Sequence, residues 1–232
     1  MSGTHTVAER EPSASAWRSF VESPARCMAR PWLQDCLGGI ADDAILEALM
    51  RHPRFQRRLA QRLIDRHGLT PPEALPVPTE EDARLLALPA RAGATLAHYC
   101  GVIWHATAFV REIRAPRVVA LKQRFGDAAF AAALANRELA VATAAADDIE
   151  TLAREVRRGG EACVSAWLSL QPPELAAWLR LGLAAGLPEE EALEAASPEV
   201  RRQGPRIVRC AAAIVDAEIK ESEHARTADA SG

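Results

Sequence analysis

The sequence predicts an all-α protein: an irregular multi-helix single domain over residues 16–221, with disordered tails at 1–15 and 222–232. Apolar residues recur at three- and four-residue spacing through most of the chain, the period of a helix with one buried face. No run alternates apolar and polar residues with β-branched enrichment, as a half-buried strand would. Glycines and prolines fall between the periodic stretches, where they stop or start helices.

Taken in order, a short helix is expected over 16–21. PARCMARPWLQDCLGGI reads as an irregular segment pinned to the core by Trp32. Asp42 or Asp43 caps the helix AILEALMR, and Pro53 opens the next, RFQRRLAQRLIDRH, which Gly68 ends. That helix places Phe55, Leu59 and Leu63 on one apolar face. The four prolines of TPPEALPVPTEE mark a linker or extended wrap, so residues 70–79 are a possible subdivision of the domain. Thr79 with Asp82 is close to a capping box and starts EEDARLLAL. Further helices are expected over 91–114, 116–125, 127–146, 149–158, 161–170, 173–185, 188–196 and 206–221. Gly126, Gly159-Gly160 and Gly186 punctuate them.

The totals narrow the function classes. The 232 residues are 49% hydrophobic and 25% charged, an ordinary balance for a globular chain with a substantial core. A formal charge of -3 gives no general attraction to nucleic acid or to an anionic membrane, so electrostatic recognition must be local. Five cysteines, odd in number and without a CxxC pair, indicate reduced thiols serving as small hydrophobes in a cytoplasmic protein. The start MSGTHTVAEREPSASAW has no cationic head followed by an apolar run, so a secretory signal is not expected. Residues 92–110 carry no Lys, Arg, Asp or Glu, but their Gly, Thr, His and Tyr content suits a buried helix better than a membrane span.

That uncharged stretch also holds His98, Cys100 and His105, the one place where ligand-capable side chains gather. On a helix His98 and His105 share a face but lie about 10.5 Å apart along the axis. One zinc needs ligand atoms about 2.1 Å away, hence the usual i,i+3 or i,i+4 pairs. A shared metal is therefore excluded. Leu96, Tyr99, Cys100, Ile103, Thr107 and Val110 form a continuous apolar stripe, and the two histidines are expected at a second helix contact or a groove. GxSxG, HExxH, the HD dipeptide, GxGxxG and the phosphate loop are all missing from the sequence. Asp147-Asp148 and Glu189-Glu190-Glu191 sit at helix starts, where carboxylates favour the dipole. The sequence thus implies no catalytic, cofactor-binding or metal-binding set.

Arg51, Arg54, Arg58, Arg62 and Arg66 form the one polar constellation above background. Their three- and four-residue spacing predicts a basic stripe beside the apolar face of the same helix. Such a stripe is either a solvated helix face or a docking surface for an acidic protein partner. A phosphate backbone is the third possibility, against which stand the acidic total charge and the lack of aromatics among the arginines.

Several segments resemble the SctK family, cytosolic accessory proteins of the sorting platform of bacterial type III secretion systems. PARCMARPWLQDCL resembles its apolar segment with a proline before Trp-Leu (Pro31, Trp32, Leu33). The block from LLALPARAGATLAHYCGVIWHATAFVREIRAPRVV to FGDAAFAAAL resembles its central helix pair, through Gly101, Arg111, Ile113, Val118, Leu121, Phe125 and Gly126. GGEACVSAWLSLQPPELAAWLRLGL resembles its C-terminal Cys-x-x-x-Trp (Cys163, Trp167) and the following run 179–183. The likeness covers roughly 24–187, with departures at Ala115-Pro116 and GLAAGLP, and it does not reach the helix at 206–221.

The resemblance implies a non-enzymatic adaptor without cofactors, at the cytosolic face of the inner membrane. Its implied partners are the secretion pod protein and the cytosolic domain of the inner-membrane ring protein. Two other readings fit the residues alone: a nucleic-acid-binding regulator using the Arg51 to Arg66 stripe, and a helical enzyme with a site near His98, His105 and Asp147.

Overall fold

A first helical turn leaves backbone N–H groups without partners, so helices begin where a side chain can accept from them. The computed structural model describes residues 11–39, 42–143, 148–183 and 197–229, and its helices follow this rule at several starts. They are α1 (Glu11–Glu22), α2 (Arg30–Cys36), α3 (Asp43–Arg51), α4 (Pro53–His67), α5 (Glu80–Ala87) and α6 (Gly93–Trp104). The chain continues with α7 (Ala106–Val110), α8 (Ala115–Phe125), α9 (Asp127–Ala135), α10 (Ile149–Leu168), α11 (Pro173–Gly182) and α12 (Pro198–Asp229). Asp42 accepts from the Ile45 N–H at 2.8 Å, Thr79 from that of Asp82 at 3.3 Å, and Asp148 from that of Thr151 at 2.7 Å. Pro53 occupies the first turn of α4, and Gly68 closes it in the left-handed region at φ 62. Among the described residues there is no strand, as the missing alternation predicts.

The helices gather in two compact units, with breaks after Gly93 and Leu170 rather than in the proline-rich 70–79 segment. The first unit holds α1 to α5 and α11. Its segment 70–79 is a wrap, with Pro72 and Leu75 buried and a short 3-10 turn over Pro72–Ala74. Helix α1 packs on α5, while α2 and α3 pack on α4. Trp178 of α11 is fully buried, meets Phe20 of α1 edge to face at 6.0 Å, and donates its indole N–H to the Thr70 carbonyl at 2.8 Å. Leu33, Met28 and Ala25 anchor the N-terminal segment, each at most 1% exposed. Full burial of Leu33 or Met28 is worth about 1.5–3 kcal/mol. Trp32, the expected pin, is only half-buried and lies edge-on to His67 at 5.4 Å. That segment is also helical where irregular structure was expected, because Pro31 opens α2 instead of breaking it.

The second unit is built around α10, which packs most extensively against α12 and also contacts α8. One helix, not two, covers 149–168: Gly159-Gly160 does not punctuate it. A Cβ on Gly160 would lie 1.9 Å from the Ala97 carbonyl oxygen of α6, and one on Gly101 would lie 1.8 Å from the Val156 oxygen of α10. These glycines let two backbones touch, an approach that any side chain would forbid.

The expected helix over 91–114 is broken at His105. The Trp104 carbonyl instead accepts from the Val141 and Ala142 N–H groups, both at 3.1 Å. Those donors are available because α9 ends at Ala135 rather than near 146: the Asn136 side-chain amide donates to the Ala132 carbonyl at 2.9 Å, and a 3-10 turn over Arg137–Leu139 leads into extended chain from Ala140.

The tails also differ from expectation. Helix α1 begins at Glu11, and α12 runs from Pro198 to Asp229 through Pro205, so 222–229 is helical instead of frayed. The helix expected over 188–196, the Glu189 to Glu191 run, Asp147 and residues 1–10 lie outside the described residues.

Candidate protein-docking surface

Arginines four residues apart on a helix do not stay in line. Each step of four advances 400°, so Arg54, Arg58, Arg62 and Arg66 drift by about 40° per step and about 120° in all. The structure shows what the drift does. Arg62 and Arg66, at the end of the rotation, reach α2: Arg62 donates to the Cys36 carbonyl at 3.1 Å, and Arg66 to the Asp35 carboxylate at 2.6 Å. The Cys36 carbonyl closes α2, where a cation also favours the helix dipole. These two contacts link the end of α2 to α4 at the exposed surface.

Arg51 belongs to α3, not to the α4 stripe, and pairs with Glu47 one turn earlier at 3.1 Å. Arg54 and Arg58 remain exposed, with no side-chain partner among the described residues. The stripe-spacing argument missed Arg57, exposed and equally without a partner, three residues after Arg54. The five expected residues therefore separate into a staple (Arg62, Arg66), an intrahelical pair (Arg51) and an open cationic face (Arg54, Arg58), which Arg57 extends.

The apolar side of α4 is Leu59 and Leu63 with Ala60 and Gln56, all buried. Phe55, assigned to that side by its spacing, is 36% exposed and stands at the edge beside His52. It starts a full turn before Leu59 and is one 40° step short of the buried arc.

The histidines of the second unit occupy helix contacts, as their position opposite the Leu96 stripe predicts. His98 Nε2–H donates to the Phe125 carbonyl at 2.9 Å, with its ring stacked on the Phe125 ring. His105 lies 8% exposed where α6 breaks, close to Gly159 of α10, with Nδ1 buried and without a protein partner. Burial lowers its pKa, so the neutral ring is the folded form. Burial also pushes the Cys163 thiol up to about 12, that of Cys100 well above its ordinary value and that of Cys27 up to about 11. Such thiols stay protonated at neutral pH and are poor nucleophiles. Burial raises the pKa of Tyr99, helped by the hydrogen bond its hydroxyl donates to the Glu218 carboxylate.

Among the described residues no three His, Cys, Asp or Glu side chains are placed to hold a metal ion. No helix among them is long and apolar enough to cross a membrane. The chain shows no significant match to known family models, curated proteins or solved structures.

Proposed function

We propose that this chain is a non-enzymatic adaptor of a type III secretion sorting platform, linking the cytosolic domain of the inner-membrane ring protein to the cytosolic pod. The observation that carries the adaptor role is the open face of Arg54, Arg57 and Arg58 on a helix whose other side, Leu59 and Leu63, is buried. Guanidinium groups held out on a packed helix attract an acidic partner and fix its register without first leaving internal pairs. The secretion system, its two partners and a place at the cytosolic face of the inner membrane rest on the family resemblance alone.

The test is binding of the purified chain to the pod protein and to the ring protein's cytosolic domain at micromolar concentration. Arg54→Glu, Arg57→Glu and Arg58→Glu combined should abolish binding to one of them while leaving the thermal midpoint unchanged, since none of the three side chains has a partner among the described residues. Failure to bind either protein would remove the proposal. Salt-dependent binding of duplex DNA, lost in the same triple variant, would move the reading to a nucleic-acid regulator.

A further inference from the structure

A second feature of the first unit is independent of the α4 face and of the secretion-system reading. Between the segment 26–31 and α3 lies a cleft of about 440 Å³, within the size range of ligand pockets. Met28 and Met50 line its apolar part, and Arg26, Arg30 and Arg51 line the rest. Glu47 is the one carboxylate among the lining residues. Glu47 accepts from Arg30 through one oxygen at 3.0 Å and from Arg51 through the other at 3.1 Å. Arg30 also lies 3.4 Å from Asp43, and Arg26 has no side-chain partner among the described residues.

We propose that this cleft binds an acidic segment of a partner protein, one that sets a carboxylate beside an apolar side chain, and that Glu47 holds the carboxylate's place when the partner is absent. The charge balance argues for this occupant: three lining cations against Glu47 and the adjoining Asp43 leave one positive charge in excess while Glu47 is in the cleft. Two arginines converging on one carboxylate already form the recognition element that an incoming Asp or Glu would use. The apolar side chain would enter against the half-buried Met50, whose flexible thioether adapts to varied shapes. The Glu47 pairs are solvent-exposed, with Arg51 79% and Arg30 50% exposed. Exposed pairs of this kind exchange partners at little cost.

The chain's methionines give a direct readout, because Met28 and Met50 are two of only three. Methyl-13C-methionine spectra of the full chain would be titrated with a short capped peptide alternating leucine and glutamate, and with its glutamine counterpart. The glutamate peptide should shift the Met50 methyl at concentrations up to about 1 mM, with the buried Met28 methyl moving less, and the glutamine peptide should shift neither. Glu47→Gln should tighten binding about threefold by removing the internal competitor. Arg51→Glu should weaken it about tenfold. Because Arg51 is so exposed, that variant should keep its helical circular dichroism. Equal response to both peptides would overturn the proposal. So would equal shifts with inorganic phosphate alone, or unmoved methyls in both the wild type and Glu47→Gln. The titration uses no secretion protein, so its failure is separate from failure of the adaptor reading.

Discussion

Gly160 of α10 and Ala97 of α6 meet backbone to backbone: a Cβ at position 160 would stand 1.9 Å from the Ala97 carbonyl oxygen. The contact decides how closely the two central helices of the second unit lie. It can be tested with a single methyl group.

Gly160→Ala should destabilise the protein by the upper end of about 1–3 kcal/mol, because the obstructing atom is backbone and the helices must separate. Gly159→Ala is the control one residue away. Its nearest neighbours are the side chains of Trp104 at 3.1 Å and His105 at 3.3 Å. Alanine there also gains about 1 kcal/mol of helix propensity, so the net change should be small. Urea denaturation of the two variants gives the comparison, and equal losses would refute the backbone contact.

His105 should make stability fall in mild acid. Burial lowers its folded pKa below the ordinary 6.5, with Glu155 acting in the opposite direction. Below 6.5 the unfolded chain takes up a proton that the folded chain resists, so stability is complete above that pH. It is lost as pH falls towards the lowered value. The thermal midpoint of the wild type should drop as pH falls below 6.5, and His105→Asn should flatten that part of the curve. An unchanged slope in the variant would assign the acid sensitivity to another group.

Glu112 should fix the connection between α7 and α8. Its carboxylate accepts from the Arg114 Nε and Nη2 at 2.9 Å each, from the Arg114 backbone N–H at 3.0 Å, and lies 3.0 Å from Arg117 Nε. These hydrogen bonds to Arg114 hold its pKa down at about 2, from an ordinary 4.5. The stabilisation is therefore present above 4.5 and lost as pH falls towards 2. Glu112→Gln should speed amide hydrogen exchange across 111–114 at neutral pH while exchange in α10 stays unchanged. Faster exchange in both regions would show that Glu112 acts on the whole unit.

Much of this was legible in the chain because it is local. The caps at Asp42, Thr79 and Asp148, the proline start of α4 and its stop at Gly68 all act within about one helical turn, which the order of residues displays directly. The burial of Leu96, Tyr99, Cys100 and Ile103 agrees with their period, but the same stripe fails past the break at His105, where Thr107 is half-buried and Val110 is 38% exposed. The candidate docking surface was legible only in part. Spacing brought out the arginines of α4, but Arg62 and Arg66 find partners 26 and 31 residues away, on a helix whose position the local sequence does not specify. Arg57 had its signal, an i+3 step from Arg54 like the step from Arg51 to Arg54 that the stripe already contained.

What the sequence by itself determined is the class of fold, most helix starts, the apolar faces and the stretch of chain where a cationic surface could form. Those depend on propensity, capping and period, which are properties of neighbours in the chain. The tertiary structure alone decided three further things. Gly159-Gly160 continues a helix instead of ending one, because α6 lies against it. The helix over 91–114 breaks at His105, because residues 141–142 take the Trp104 carbonyl. Only part of the basic stripe stays open, because Asp35 and the end of α2 stand where the rest of it turns. In each case the deciding atom belongs to a distant segment, and only folding brings it within hydrogen-bond or van der Waals range.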